Sequence, residues 1–128
     1  MSASYWRLAV RDEFSAAHAL RHYQGKCEHM HGHNFFVEAV VQGETLQTGT
    51  EFLMDFSIIK KQLKQILETL DHKDLNTTPP FDRLNPSSEN LSRYIFQGLA
   101  PLVSPHGVRV YSVSVSEKGA QSATYFEE

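Results

Sequence analysis

The chain has one cysteine, Cys27, in 128 residues, which excludes a disulfide within the chain and any zinc site built from several thiolates. It lacks a long apolar run, so no segment reads as a membrane span. Its opening stretch, MSASYWRLAVRDEF, lacks the apolar core of a secretory signal, and the expectation is a cytoplasmic protein. Basic charge is not in excess either. Twelve Lys and Arg against fifteen Asp and Glu leave a formal net charge of −3, which offers nucleic acid no electrostatic footprint. Repeats and low-complexity segments are missing. What is present is a hydrophobic fraction of 41% with 11% aromatics, enough for a buried core in a single domain over 1–128. Seven histidines are also present, of which His22, His29, His31 and His33 fall within twelve positions, with His18 just upstream.

Hydrophobic periodicity divides the chain. From Tyr5 to His18, Trp6, Leu8, Val10, Phe14 and Ala16 share one parity, as a half-buried strand requires, with Asp12 marking a bulge or polar patch on that face. A second strand is expected from His31 to Val41, with Phe35, Val37, Ala39 and Val41 in step with His31 and His33. The polar stretch between them reads as a loop. Phe56, Ile59, Leu63, Ile66, Leu67 and Leu70 then fall at helical spacing behind Asp55 as N-cap. Pro79, Pro80 and Pro86 enforce a loop, and a second helix starts near Ser87 or Ser88 and ends near Pro101 and Pro105. Strand alternation returns in GVRVYSVSVSEKG, with Tyr111, Val113 and Val115 on one side, and ATYFEE supplies a last strand. This order predicts an α+β fold: a four-stranded antiparallel sheet covered on one face by two helices. Its two bare edges call for pairing between subunits into a barrel, hence a homo-oligomer.

His31 and His33, two apart on a strand, project from the same face, and Gly32 between them adds no bulk. If the first two strands pair, His18 reaches the same point. Three imidazoles around a tetrahedral ion leave one position open, as catalytic zinc sites do. His22 and His29 have no such geometric case, and His106 reads as a turn residue. The same stretch also fits the first metal motif of cupins, G-x5-H-x-H-x4-E-x4-G. On an unbulged strand, however, Glu38 points to the opposite face from His33, and the helical middle of the chain does not suit an all-β barrel. Cys27, four residues before His31, is open to three roles: an inert thiol, a fourth ligand closing the site, or a thiolate base beside a cation that lowers its pKa.

Five ordered pieces, FSAAHAL, CEHMHGH, LDHKDLN, PSSEN and VSEKG, resemble the 6-pyruvoyl-tetrahydropterin synthase and 6-carboxytetrahydropterin synthase family over essentially the whole chain. The resemblance implies the tunnelling fold, assembled as trimers into a barrel and often paired into hexamers, with sites at subunit interfaces. It implies that His18, His31 and His33 bind Zn2+, and that Cys27 is the catalytic base, assisted by Asp71 and His72. By itself, His72 would do no more than favour the negative end of a helix. The resemblance further implies that Glu117, Ser88 and Glu89 line the pterin site. Parity independently sets Glu117 in line with Val113 and Val115, where a carboxylate needs a partner. The substrate so implied is 7,8-dihydroneopterin triphosphate. The C-x3-H-G-H spacing is similar to the queuosine-pathway branch, which yields 6-carboxytetrahydropterin, acetaldehyde and triphosphate. The pyruvoyl branch stops at elimination of triphosphate. Glu28 completes a C-E-x-x-H-G-H pattern like that of a bifunctional subgroup that also serves folate through 6-hydroxymethyl-dihydropterin. Otherwise Glu28 is a solvated loop residue. A non-catalytic zinc- or pterin-binding module is the rival class.

Overall fold

The structure, a computed structural model, describes residues 4–25 and 29–128. Strands β1 (Trp6–His18) and β2 (His31–Gly43) pair antiparallel without a slip, from Trp6 opposite Gly43 to His18 opposite His31. Asp12 therefore marks no bulge; it lies opposite Val37 in unbroken register. The shared face buries Val10, Phe14 and Ala16 against Phe35, Val37, Ala39 and Val41, with the Phe14 and Phe35 rings stacked 4.9 Å apart. Trp6 keeps the expected parity but is 46% exposed, because it sits at the open end of the strand.

Helix α1 (Phe56–Leu67) begins where Asp55 Oδ1 accepts from the Ser57 N–H at 2.8 Å. It buries Ile59, Leu63 and Leu67, each burial stabilising by roughly 1.5–3 kcal/mol, while Lys60, Lys61 and Lys64 face water. Phe56, expected inward, is 50% exposed in the first turn, and Leu70 is buried but lies beyond the helix end. Helix α2 (Ser88–Val103) is capped by Ser87, whose Oγ accepts from the Asn90 N–H, and it buries Leu91, Ile95 and Leu99. It ends at Val103, between Pro101 and Pro105 as expected, with Pro101 inside its last turn. The ring occupies an exposed position one turn from the end, where only one intrahelical hydrogen bond is lost. A 3-10 turn with Pro105 and His106 follows, and Gly107, at φ +78°, closes it.

The sheet has five strands in place of the expected four antiparallel ones. Between the helices, β3 (Lys73–Asp74) lies parallel to the end of β1, with Ala16 opposite Lys73 and Ala17 opposite Asp74. The His72 N–H anchors this pairing on the Ser15 carbonyl at 2.6 Å. Two residues carry no periodicity, so LDHKDLN conceals a strand. With β4 (Arg109–Lys118) and β5 (Gln121–Tyr125), the order is β3-β1-β2-β4-β5. Strand β4 shifts register between Val40 and Val41 of its neighbour, so Val108 and Val110 are buried on one parity and Val113 and Val115 on the other. Tyr111 falls at the shift and is only half-buried. Both helices cover one sheet face, α1 against β1 and α2 against β4 and β5, around one apolar cluster. Among the described residues, no helix is long and apolar enough to cross a membrane.

Candidate metal centre

The register that builds the core also assembles the histidines. His18 lies opposite His31 and Ala16 opposite His33, so three imidazoles share the core face at one end of the sheet. Ring centroids of His18 and His31 are 4.6 Å apart, those of His31 and His33 4.5 Å, and those of His18 and His33 6.1 Å. Glu117, two residues beyond Val115 on β4, turns its carboxylate toward them. Its Oε1 is 3.1 Å from His18 Nε2, and its Oε2 is 3.5 Å from His33 Nε2. One donor atom from each of His18, His31 and Glu117 lies within 4.8 Å of the others, and His33 adjoins this group through Glu117.

Tautomers decide what such a cluster can hold. His18 is fully buried, and its Nδ1 donates to the Pro86 carbonyl at 3.0 Å, an acceptor only. His31 Nδ1 likewise donates to the His29 carbonyl at 2.7 Å. In each neutral ring the remaining Nε2 then carries a lone pair; both Nε2 atoms are buried and make no hydrogen bond, and that of His18 meets Glu117 Oε1 acceptor to acceptor. Burial lowers the His18 pKa from its ordinary value, against the opposing pull of the Pro86 carbonyl and Glu117. Lone pairs thus converge on a carboxylate, an arrangement that repels itself unless a cation sits among them. Neutral imidazoles with their second nitrogen held by a carbonyl are common ligands of divalent transition metals. The residues therefore fit a divalent ion.

Beside the cluster opens a cavity of about 740 Å³ whose walls include Tyr23, His31, Ser88, Glu89, Glu117 and Lys118. Ser88 and Glu89 reach it because they open α2. Asp71 and His72 lie elsewhere: His72 lines a neighbouring cavity of about 620 Å³ together with Ser15, Asn34 and Lys73. The two cavities meet at Gly32 and His33. His72 Nδ1 is 3.0 Å from Asp71 Oδ2, and Asp71 Oδ1 accepts from the Ser15 N–H at 2.9 Å. That N–H above all, and then His72, hold the Asp71 pKa below the ordinary carboxylate value. The backbone of His72 is left-handed, at φ +58°. Cys27 and Glu28 lie outside the described residues. His22 sits exposed in a turn. His29, set aside as a loop residue, contributes its carbonyl. The Pro86 and His29 carbonyls carry no signal in the sequence, since any residue has a carbonyl.

An α+β sheet that gathers three imidazoles and a carboxylate beside an open cavity defines a protein with a candidate metal cluster. Comparison with known proteins supplies the particular family. The 6-pyruvoyl tetrahydropterin synthase family profile matches residues 7–128, and the chain belongs to that family. It is 35% identical over 125 residues to a 6-carboxy-5,6,7,8-tetrahydropterin synthase of Synechocystis, covering 94% of this chain and 93% of that protein. It is 37% identical over 89 residues to a dihydroneopterin monophosphate aldolase of Pyrococcus furiosus, covering 70% of each. Its fold is similar to the structure of 6-pyruvoyl tetrahydropterin synthase from Caenorhabditis elegans, with a TM-score of 0.85 and 27% identity, covering 100% of this chain and 99% of that one.

Proposed function

We propose that the protein is a Zn2+-dependent 6-carboxy-5,6,7,8-tetrahydropterin synthase. It would convert 7,8-dihydroneopterin triphosphate and one water to 6-carboxytetrahydropterin, acetaldehyde and triphosphate, a step toward queuosine and related 7-deazapurines. The observation that carries the reading is the convergence of two buried imidazole Nε2 atoms and the Glu117 carboxylate beside a cavity whose wall holds Ser88 and Glu89. The Synechocystis relative, matched over nearly the full chain, supports the carboxy product.

His18, His31 and His33 would hold the ion, with the Pro86 and His29 carbonyls fixing two of the rings. When bound, Zn2+ supplies Lewis acidity toward the hydroxyls of the substrate side chain. Glu117 would accept the amino and ring N–H groups of the pterin, an acceptor-only carboxylate meeting a donor edge, and Ser88 and Glu89 line the same pocket. Cys27 Sγ would remove a proton from the side chain. His72, oriented through Nδ1 by Asp71, would take and return protons at Nε2 as the side chain is cleaved. The cluster and the dyad face separate cavities that meet at His33, which suits a site completed by a second subunit.

A second reading draws on the Pyrococcus relative, named an aldolase, and on Glu28 beside Cys27: release of 6-hydroxymethyl-7,8-dihydropterin from the same site. Mass spectrometry of products from 7,8-dihydroneopterin triphosphate tests both. Wild type should yield 6-carboxytetrahydropterin, and Cys27→Ala should yield none while retaining Zn2+. Glu117→Gln should keep the ion but raise KM at least tenfold. A Glu28→Ala product pattern identical to wild type would remove the second reading, and 6-pyruvoyl-tetrahydropterin as sole product would replace the first. Absence of any pterin product at full Zn2+ occupancy would leave a binding module.

A further inference from the structure

Side-chain bonds to backbone concentrate where the chain leaves β1 and meets the segment ahead of α2. Two asparagines imitate a neighbouring strand. Asn76 Oδ1 accepts from the Ala19 N–H at 2.8 Å and its Nδ2 donates to the Ala19 carbonyl at 3.0 Å. Asn85 does the same to Arg21, accepting at 2.7 Å and donating at 2.8 Å. The Arg21 guanidinium donates to the carbonyls of Leu84, Asn76 and Phe81, and Asn90 Nδ2 donates to the Asn85 carbonyl at 2.9 Å. Pro86 is buried between Asn85 and the capping Ser87. Its carbonyl precedes the first helical acceptor, Ser87, which takes the Leu91 N–H. The Pro86 carbonyl is thus unclaimed by α2 and meets His18 Nδ1.

We propose that Asn85 is a positioning residue for the histidine cluster. By gripping Arg21 on both sides, it fixes the Pro86 carbonyl against His18 Nδ1. His18 is thereby held in the tautomer whose Nε2 lone pair faces His31 and Glu117. The proton on an imidazole goes to whichever nitrogen has an acceptor. If the carbonyl withdraws, the proton is free to move to Nε2, and the ring turns from ligand to obstacle. The same clamp ties the start of α2, and with it Ser88 and Glu89, to the end of β1, so ion site and cavity keep a common frame. The inference rests on the metal reading proposed above.

The test compares wild type with Asn85→Ala, Asn85→Asp and Ile59→Val, the last a buried change in α1 that controls for lost stability. Metal-free proteins are examined by long-range 1H–15N imidazole spectra, and Zn2+ affinity is measured by competition with a chromogenic chelator. Wild-type His18 should show Nδ1–H. Asn85→Ala should shift it toward Nε2–H and weaken Zn2+ binding about 10- to 100-fold, the usual effect of losing a ligand's outer support. Asn85→Asp keeps the acceptor for the Arg21 N–H but loses the donor, and should fall between. It decides the matter if Asn85→Ala does not fold. Ile59→Val should match wild type in both readouts. Wild-type tautomer and affinity in the Asn85 variants, or equal changes in Ile59→Val, overturn the proposal. If wild type itself binds no Zn2+, the metal reading fails, and the tautomer comparison alone decides the role of Asn85.

Discussion

Asp71 shows how one backbone donor gives a carboxylate a consequence for the whole fold. The Ser15 N–H lowers its pKa in the folded chain, while the unfolded chain keeps the ordinary value near 3.9. Between those values the unfolded state binds more protons, so stability rises with pH through that window. The contribution is full above the ordinary carboxylate value and is lost as pH falls through the folded one. Denaturant unfolding from pH 7 to pH 3 should therefore show a steeper acid loss in wild type than in Asp71→Asn; equal slopes would refute the coupling. At this scale the sequence was informative where side chains repeat. The H-x-H spacing located His31 and His33, and strand pairing brought in His18. Parity aligned Glu117 with Val115 even though a register shift upstream moved Tyr111 off the apolar face. The Pro86 carbonyl and the asparagine grips were not legible, because nothing periodic marks a loop that serves another loop.

Among the elements, the helices were readable from spacing and caps because each has a polar start and an apolar stripe. Ser87 illustrates the energetics. Its Oγ satisfies an N–H that α2 would otherwise leave unpaired, a contribution of about 1 kcal/mol. Ser87→Ala should lower the melting temperature by roughly 3–5 °C in calorimetry. An unchanged melting temperature would mean that water replaces the cap. Strand β3 escaped the sequence for the opposite reason. Its identity lies in one hydrogen bond from His72 and in parallel pairing to β1, neither of which a two-residue segment can advertise.

For the whole molecule, the open question in the sheet is its edges. Among the described residues, β3 covers only Ala16 and Ala17 of the outer side of β1, and β5 ends the other side. Such edges are open to strand pairing between copies, which would close a ring without leaving an edge. Light scattering should give a mass that is a multiple of the 14.6 kDa chain, three- or sixfold; a monomer at micromolar concentration would defeat this. His72 occupies a left-handed backbone that disfavours a side chain by roughly 1 kcal/mol and that glycine or asparagine adopts readily. Glycine at this position would relieve that backbone cost but would remove the ring whose Nδ1 stands 3.0 Å from Asp71 Oδ2, so local ease of folding and the histidine–aspartate pair pull in opposite directions here.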